Sequence, residues 1–294
     1  MPAFSTQAAG EGPLATQRAL QREAPSVTVS IGRVEGSRTS RADDVLVVEE
    51  AMEIRLGEQS LSITMRTPGH DFELAVGFLF SEGLIQGAVD IRSLERPADG
   101  SPNVLVVELA KGKGTSSVRA ERNFVMTSAC GVCGKASLSD LEVNACPVLP
   151  PDNIKVAPDV IHGLPDRLRQ AQSVFESTGG LHAAARFNLQ GVLEDVREDV
   201  GRHNAVDKLI GAALLGRCVP LANSLLLVSG RASFELVQKA LMAGVPVMAA
   251  VGAPSSLAVA TAERAGMTLI GFLRNGRFNV YTGSGRILGL EQPR

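Results

Sequence analysis

SLLLVSGRASFELVQKALMAGVPVMAAVGAPSSLAVATAERAGMTLIGFLR, residues 224–274, alternates short apolar runs with segments of helical length, and that alternation decides the fold class. Ser224 to Val228 reads as a strand, Ser233 to Ala243 as a helix and Val245 to Val251 as a strand. Ser255 to Ala265 reads as a second helix and Thr268 to Leu273 as a third strand. Strands separated by helices of this length need crossover connections, which predicts a mostly parallel sheet covered by helices. Just upstream, Leu181 to Phe187 and Val192 to Arg197 flank Asn188-Leu189-Gln190-Gly191, a hairpin signal, and a helix from His203 to Leu215 follows.

The first half has a different texture. Val45 to Val48, Met52 to Leu56 and Leu61 to Met65 read as strands, the last two joined around Gly57 to Ser60. A helix is expected from Asp71 to Ile85, burying Leu74, Phe78, Leu79 and Ile85, with further strands at Val104 to Leu109 and Phe124 to Thr127. Residues 1–25 lack apolar periodicity and read as a disordered tail. The expected organisation is a β-rich, α+β domain over 26–150 carrying a cysteine loop, then an α/β domain over 151–294. The Pro-rich run Cys146 to Pro151 links them.

Composition narrows the class. The net charge of -2 advertises neither nucleic acid nor an acidic membrane surface as partner. The first residues have no basic start and no apolar h-region, and Ala240 to Pro254 is interrupted by Gly244, Pro246 and Gly252, too short to span a bilayer. Four cysteines without a secretory signal fit free thiols in a reducing compartment, so a soluble cytoplasmic protein is expected.

Cys130-Gly131-Val132-Cys133-Gly134-Lys135 is the most chemically loaded segment. Two thiols so spaced can sit together at a helix start, where unpaired N–H groups and the Lys135 cation favour the nucleophilic thiolate. A structural zinc site needs four ligands; Cys146 and Cys218 are isolated and no histidine is close in sequence, so no metal is expected. A thiol–disulfide couple and a sulfur relay, in which one thiolate holds a persulfide, both remain open. Cys146 and Cys218 read as core or incidental residues.

A second constellation surrounds the hairpin. His182 follows the Gly179-Gly180 turn, and Arg202 and His203 lead from the other strand into a helix, beside Asp199, Asn204, Asp207 and Lys208. The plain alternative is that Asp199 caps the helix while Asp207 and Lys208 are solvated. The loop Ser229-Gly230-Arg231 lies between a strand end and a helix start, a geometry that receives anions. Phe272-Leu273-Arg274-Asn275-Gly276-Arg277 adds two guanidinium forks suited to phosphate or a guanine edge. Together these point to a large nucleotide-like ligand. The helix start His203-Asn204-Ala205 is faintly like that of a zinc deaminase, but the H-x-E and P-C-x-x-C motifs that deamination needs are missing.

Five motifs in order carry a family resemblance: Thr67-Pro68-Gly69-His70-Asp71 to Glu82-Gly83, the Cys130–Lys135 segment, Thr178-Gly179-Gly180 with His182, Glu198 to Lys208, and Ser229-Gly230-Arg231. Over residues 27–290 the chain resembles the FdhD family of sulfur carriers required for formate dehydrogenase activity. The resemblance implies a sulfurtransferase that accepts persulfide sulfur from a cysteine desulfurase on Cys130, with Cys133 assisting or resolving. It implies delivery to a molybdenum or tungsten bis(guanine dinucleotide) cofactor, with Phe272 to Arg277 as the cofactor-binding segment. It further implies a cytidine-deaminase-like three-layer second domain, a homodimer, and the formate dehydrogenase catalytic subunit as partner. A noncatalytic cofactor chaperone and a thiol–disulfide oxidoreductase are the competing readings. His70, Phe72 and Glu73 stand where relatives more often have acidic residues.

Overall fold

The computed structural model describes residues 24–110, 146–151 and 153–290. The expected strand at Phe124 to Thr127, the Cys130/Cys133 pair and most of the expected tail lie outside the described residues.

Described elements form a mixed α/β fold with three sheets. Strands β1 (Ser26–Glu35) and β2 (Arg38–Val47) make a two-stranded antiparallel ribbon. Strands β3 (Glu50–Leu56), β4 (Gln59–Arg66), β5 (Ile91–Glu95) and β6 (Val104–Leu109) form a four-stranded sheet in the order β4-β3-β6-β5, with α1 (Asp71–Ser81) inserted between β4 and β5. The expected continuation of α1 to Ile85 does not occur. Gly83 takes φ 72 and the Leu84 N–H turns back to the Leu79 carbonyl at 2.9 Å, which ends the helix while Ile85 remains buried.

Three short helices follow, α2 (Pro158–His162), α3 (Leu164–Ala171) and α4 (Ser173–Thr178). Then come β7 (His182–Asn188), β8 (Leu193–Asp199), α5 (Arg202–Leu215), β9 (Ser224–Val228), α6 (Phe234–Met242), β10 (Val247–Ala250), α7 (Ser256–Ala265), β11 (Thr268–Arg274) and β12 (Arg277–Thr282). The six-stranded sheet runs β12-β11-β10-β9-β7-β8. Its expected mostly parallel character is corrected: only the β9–β10 and β10–β11 pairs are parallel, whereas β7 pairs antiparallel with both β9 and β8, and β12 antiparallel with β11. The reason is local. Asn188–Gly191 and Asn275-Gly276 are tight turns, and a tight turn can only reverse the chain.

The central strands are buried on both faces, and alternation assigns their residues to two cores. Leu226, Val228, Met248 and Ala250 join a main cluster that continues through Leu209 and Ile210 of α5 and Leu74 and Leu79 of α1. It reaches Met52 and Leu105 of the four-stranded sheet. Leu225, Leu227, Val247 and Ala249 face the other way, onto Ile161 and Leu164 of α2 and α3 and onto Phe187. Helices α1 and α5 cross at backbone contact: a Cβ on Gly77 would lie 1.8 Å from the Asp207 carbonyl oxygen, and one on Gly211 1.8 Å from that of Glu73. Glycine is therefore required at both points, and the close crossing locks the N-terminal motif onto α5. The Pro-rich run is also docked, with Leu149 N–H donating to the Ala265 carbonyl at 2.9 Å and Cys146 packed against the main core. Cys218, read as core or incidental, is exposed.

Candidate functional site at the rim of the six-stranded sheet

Buried ion pairs hold the ground beneath the site. Asp199, the last residue of β8, is 0% exposed and accepts hydrogen bonds from Thr67 N–H, Gly201 N–H and Asn204 Nδ2 at 3.1, 2.7 and 3.0 Å. Lys208 Nζ stands 2.7 Å from the same carboxylate and donates to the Thr67 carbonyl at 2.8 Å. Asp199 thus does not cap the helix as the plain reading had it; it ties the strand end, the second turn of α5 and the Thr67-Pro68-Gly69 loop together. One residue along, Asp207 receives Lys239 Nζ on both oxygens at 2.8 Å and the Ser81 hydroxyl at 2.9 Å. Burial works against the Lys239 ammonium, but the Asp207 carboxylate outweighs it and holds its pKa above the ordinary value. Neither Asp207 nor Lys208 is solvated: they are 3% and 1% exposed.

Above this base the rim assembles. His182 opens β7 opposite Asp199 and lies against Gly230, where an added Cβ would be 3.4 Å from its Nδ1. Burial and then the Arg202 charge push the His182 pKa down, so the ring is neutral at pH 7. Arg202 is the first residue of α5, and its buried Nε has no hydrogen-bond partner among the described residues. His203 Nε2 lies 3.3 Å from Ser233 Oγ and 3.8 Å from Glu235 Oε2, joining the start of α5 to the start of α6. Burial tends to raise the Glu235 pKa, but hydrogen bonds from His203, its own backbone and Ser233 prevail and bring it to about 2.

Three loops at the carboxyl ends of the parallel strands are laced side by side. Gly252 N–H donates to the Gly230 carbonyl at 2.9 Å, and Phe272 N–H to the Gly252 carbonyl at 3.0 Å. Ser229 Oγ accepts from Ala183 N–H at 2.9 Å. Gly252 itself leaves no room, since a Cβ there would come within 3.0 Å of the Gly230 carbonyl. Phe272 holds φ 53 at a bulge in the β11–β12 pairing, an uncommon conformation for a bulky residue and one that clusters at functional sites. Arg274 stacks 5.7 Å above its ring, and Asn275 and Gly276, both left-handed, turn the hairpin.

The structure therefore brings His182, Arg202, His203, Ser229, Gly230, Arg231 and Phe272 to one rim. Arg231 and Arg274 are exposed there. Leu273 is instead 1% exposed and belongs to the second core cluster. Arg277 and Gly276 line a groove of about 1200 Å³ beside Lys155, His162, Phe278 and Tyr281, which none of the other rim residues enters. Glu235, Lys239 and the pairing of buried Arg66 with Asp71, 3.0 Å apart, were not among the expected site features. Arg66 and Asp71 sit on the consecutive elements β4 and α1, and Glu235 and Lys239 on α6 far downstream; only Lys239, a cation amid the apolar spacing of α6, left a trace in the sequence. A rim with a neutral imidazole, an uncommitted guanidinium edge and backbone N–H groups at strand–helix turns suits an anionic, hydrogen-bonding ligand. Among the described residues no cluster of three or more His, Cys, Asp or Glu is placed to hold a metal ion. No described helix is long and apolar enough to cross a membrane.

Comparison with known proteins gives a consistent result. Residues 47–288 match the model of the FdhD/NarQ family. A Streptomyces coelicolor protein named sulfur carrier protein FdhD is 53% identical over 262 residues, covering 87% of this chain and 93% of its own. A Sulfolobus acidocaldarius protein of the same name is 43% identical over 259 residues, 88% and 97% of the two chains. A crystal structure from Desulfotalea psychrophila, described as a candidate formate dehydrogenase accessory protein, superposes with TM-score 0.70 at 26% identity. It is matched over 90% of this chain and 100% of its own.

Proposed function

This chain belongs to the FdhD/NarQ family, and on that premise we propose that it is a sulfur carrier serving formate dehydrogenase. The observation that carries the reading is the identity of 53% over most of the chain to a protein named as a sulfur carrier. Cys130 is the proposed acceptor: its thiolate attacks the terminal sulfur of a desulfurase persulfide, forming Cys130–S–SH and releasing the desulfurase cysteine as thiolate. The Cys133 thiolate then attacks the Cys130 sulfur. A Cys130–Cys133 disulfide forms, hydrosulfide departs towards the acceptor, and a thiol reductant restores the pair. The acceptor, the substrate of the transfer, is a molybdenum or tungsten bis(guanine dinucleotide) cofactor. Its phosphate and guanine groups would meet the rim: Arg202, Arg231 and the N–H groups of the 229–231 loop take phosphate, and Arg274 stacked on Phe272 offers a guanidinium fork. His182, kept neutral, can both donate and accept. A cytidine-deaminase-like layering of the second half, a cytoplasmic location and a homodimer complete the reading.

The test is intact mass spectrometry after incubation with a cysteine desulfurase and cysteine. Gain of about one sulfur atom, removed by reductant and absent in Cys130→Ala, is expected of a persulfide carrier. No gain with competent thiols would leave the cofactor-chaperone reading, and catalysed insulin reduction without sulfur uptake would favour the oxidoreductase.

A further inference from the structure

Strand β12 forms the margin of the six-stranded sheet and pairs with β11. Its side chains alternate between two faces: Phe278 and Val280 pack against the second core cluster, and Arg277, Asn279 and Tyr281 belong to the other face. Residues of both faces, Arg277 and Tyr281 as well as Phe278 and Val280, line the groove of about 1200 Å³. The groove therefore follows the margin of the strand rather than either face. Six strand residues extend over roughly 20 Å. The groove is also roomier than the about 300–1,000 Å³ of ordinary small-molecule pockets. A strand at a sheet margin turns every other N–H and C=O away from its one neighbour, a ready template for another chain.

The groove is positive in a chain whose net charge is -2. Lys155, Arg277 and Arg286 line it, and Glu263 is the one carboxylate among its described lining residues. Lys155 Nζ donates to the Gly285 carbonyl, a neutral acceptor that holds the ammonium in place without cancelling its charge. Arg277 is exposed and has no carboxylate partner among the described residues. His162 also lines the groove, its ring 4.9 Å from that of Phe278, and its buried Nδ1 has no hydrogen-bond partner among the described residues. A buried polar atom left in this way is uncommon, and a polar group of a bound chain would answer it.

We propose that this groove receives an extended acidic segment of a partner protein, which adds to β12 as a further strand. Main-chain hydrogen bonds to the strand margin supply affinity, and the alternation across β12 sets the sequence that fits. The incoming chain places carboxylates beside Arg277 and Tyr281 and apolar side chains beside Phe278 and Val280. Its signature is an acidic–apolar repeat of period two. The assignment goes beyond the sulfur-carrier reading, and neither rests on the other.

Tyr281 is the only tyrosine in a chain without tryptophan, so its fluorescence reports the groove in the unmodified protein. Titrating the full chain with acetylated, amidated Glu-Val-Glu-Val-Glu-Val, which does not itself emit there, is expected to change that signal saturably. The Lys-Val-Lys-Val-Lys-Val counterpart should leave it unchanged. Lys155→Glu and Arg277→Glu should each weaken the acidic peptide about tenfold at low salt, and the double variant should take the lysine peptide instead. Methylating the backbone nitrogens of the valines alone, or of the glutamates alone, should abolish binding in one case and spare it in the other. A strand offers its neighbour only every other N–H. No saturable change, equal outcomes for the two methylated peptides, or charge reversals without effect would overturn the proposal. Displacement of the peptide by guanosine diphosphate would also overturn it, by making the groove part of a nucleotide site.

Discussion

Helix α5 carries the same kinds of side chain into two different surroundings. At its second turn, Asp207 and Lys208 are buried and each has an opposite charge within 2.8 Å, Lys239 for one and Asp199 for the other. At its first residue, Arg202 is half-buried with an Nε that no described group satisfies, beside the neutral His182. Charges whose partners come from the fold are committed to holding it, because an unpaired ion in that interior is expensive. Charges at the rim are spared that duty and remain available to a ligand. The buried set clamps the Thr67 loop, β8, α5 and α6 into one frame, and the rim residues hang from its ends.

That contrast can be broken by mutation. The largest effect is expected from Asp207→Ala, which strands the Lys239 ammonium and should cost about 3–5 kcal/mol in denaturant unfolding. The paired change Asp207→Leu with Lys239→Met should recover most of the loss, since a matched apolar pair leaves no orphan charge. A loss below about 1 kcal/mol in the single variant would mean the pair is not structural.

Arg202→Ala should do the reverse. Unfolding free energy is expected to stay within about 0.5 kcal/mol, as it does for surface changes, while client activation falls about tenfold. Equal loss of stability and activity would place Arg202 with the buried set.

A third effect, read as a titration midpoint, lies between the two regions, at Glu235. Its folded pKa of about 2 lies below the ordinary 4.5, so its contribution to stability is complete above 4.5 and fades as pH falls towards 2. Carboxyl NMR titration should find the midpoint near 2, and His203→Gln should move it up. A midpoint unmoved by that substitution would remove His203 from the link between α5 and α6.

Much of this frame was legible in the chain. The strand at Val104 to Leu109 and the one at Ser224 to Val228 coincide with β6 and β9, and α5, α6 and α7 fall within a residue of expectation. Each is a strongly patterned segment whose local preference and burial agree. The rim was half legible: His182, Arg202, His203 and the Ser229 loop were marked by polar residues crowded at strand–helix junctions. What escaped had no such mark. Short α2, α3 and α4 sit in a Pro- and polar-rich stretch, and β1 and β12 form faces whose alternation is weak.

The sequence alone determined the alternation of strands and helices, the hairpin turns and the family motifs, because these depend on neighbours a few residues apart. Tertiary structure decided the rest. The partners of Asp207 and Lys208 come from α6 and β8, and the crossing of α1 on α5 at Gly77 and Gly211 joins segments more than a hundred residues apart. The same packing gathers three loops into one rim and carries Arg277 away into a separate groove. Periodicity reports which face of an element is buried, whereas only the packed chain specifies what that face is buried against.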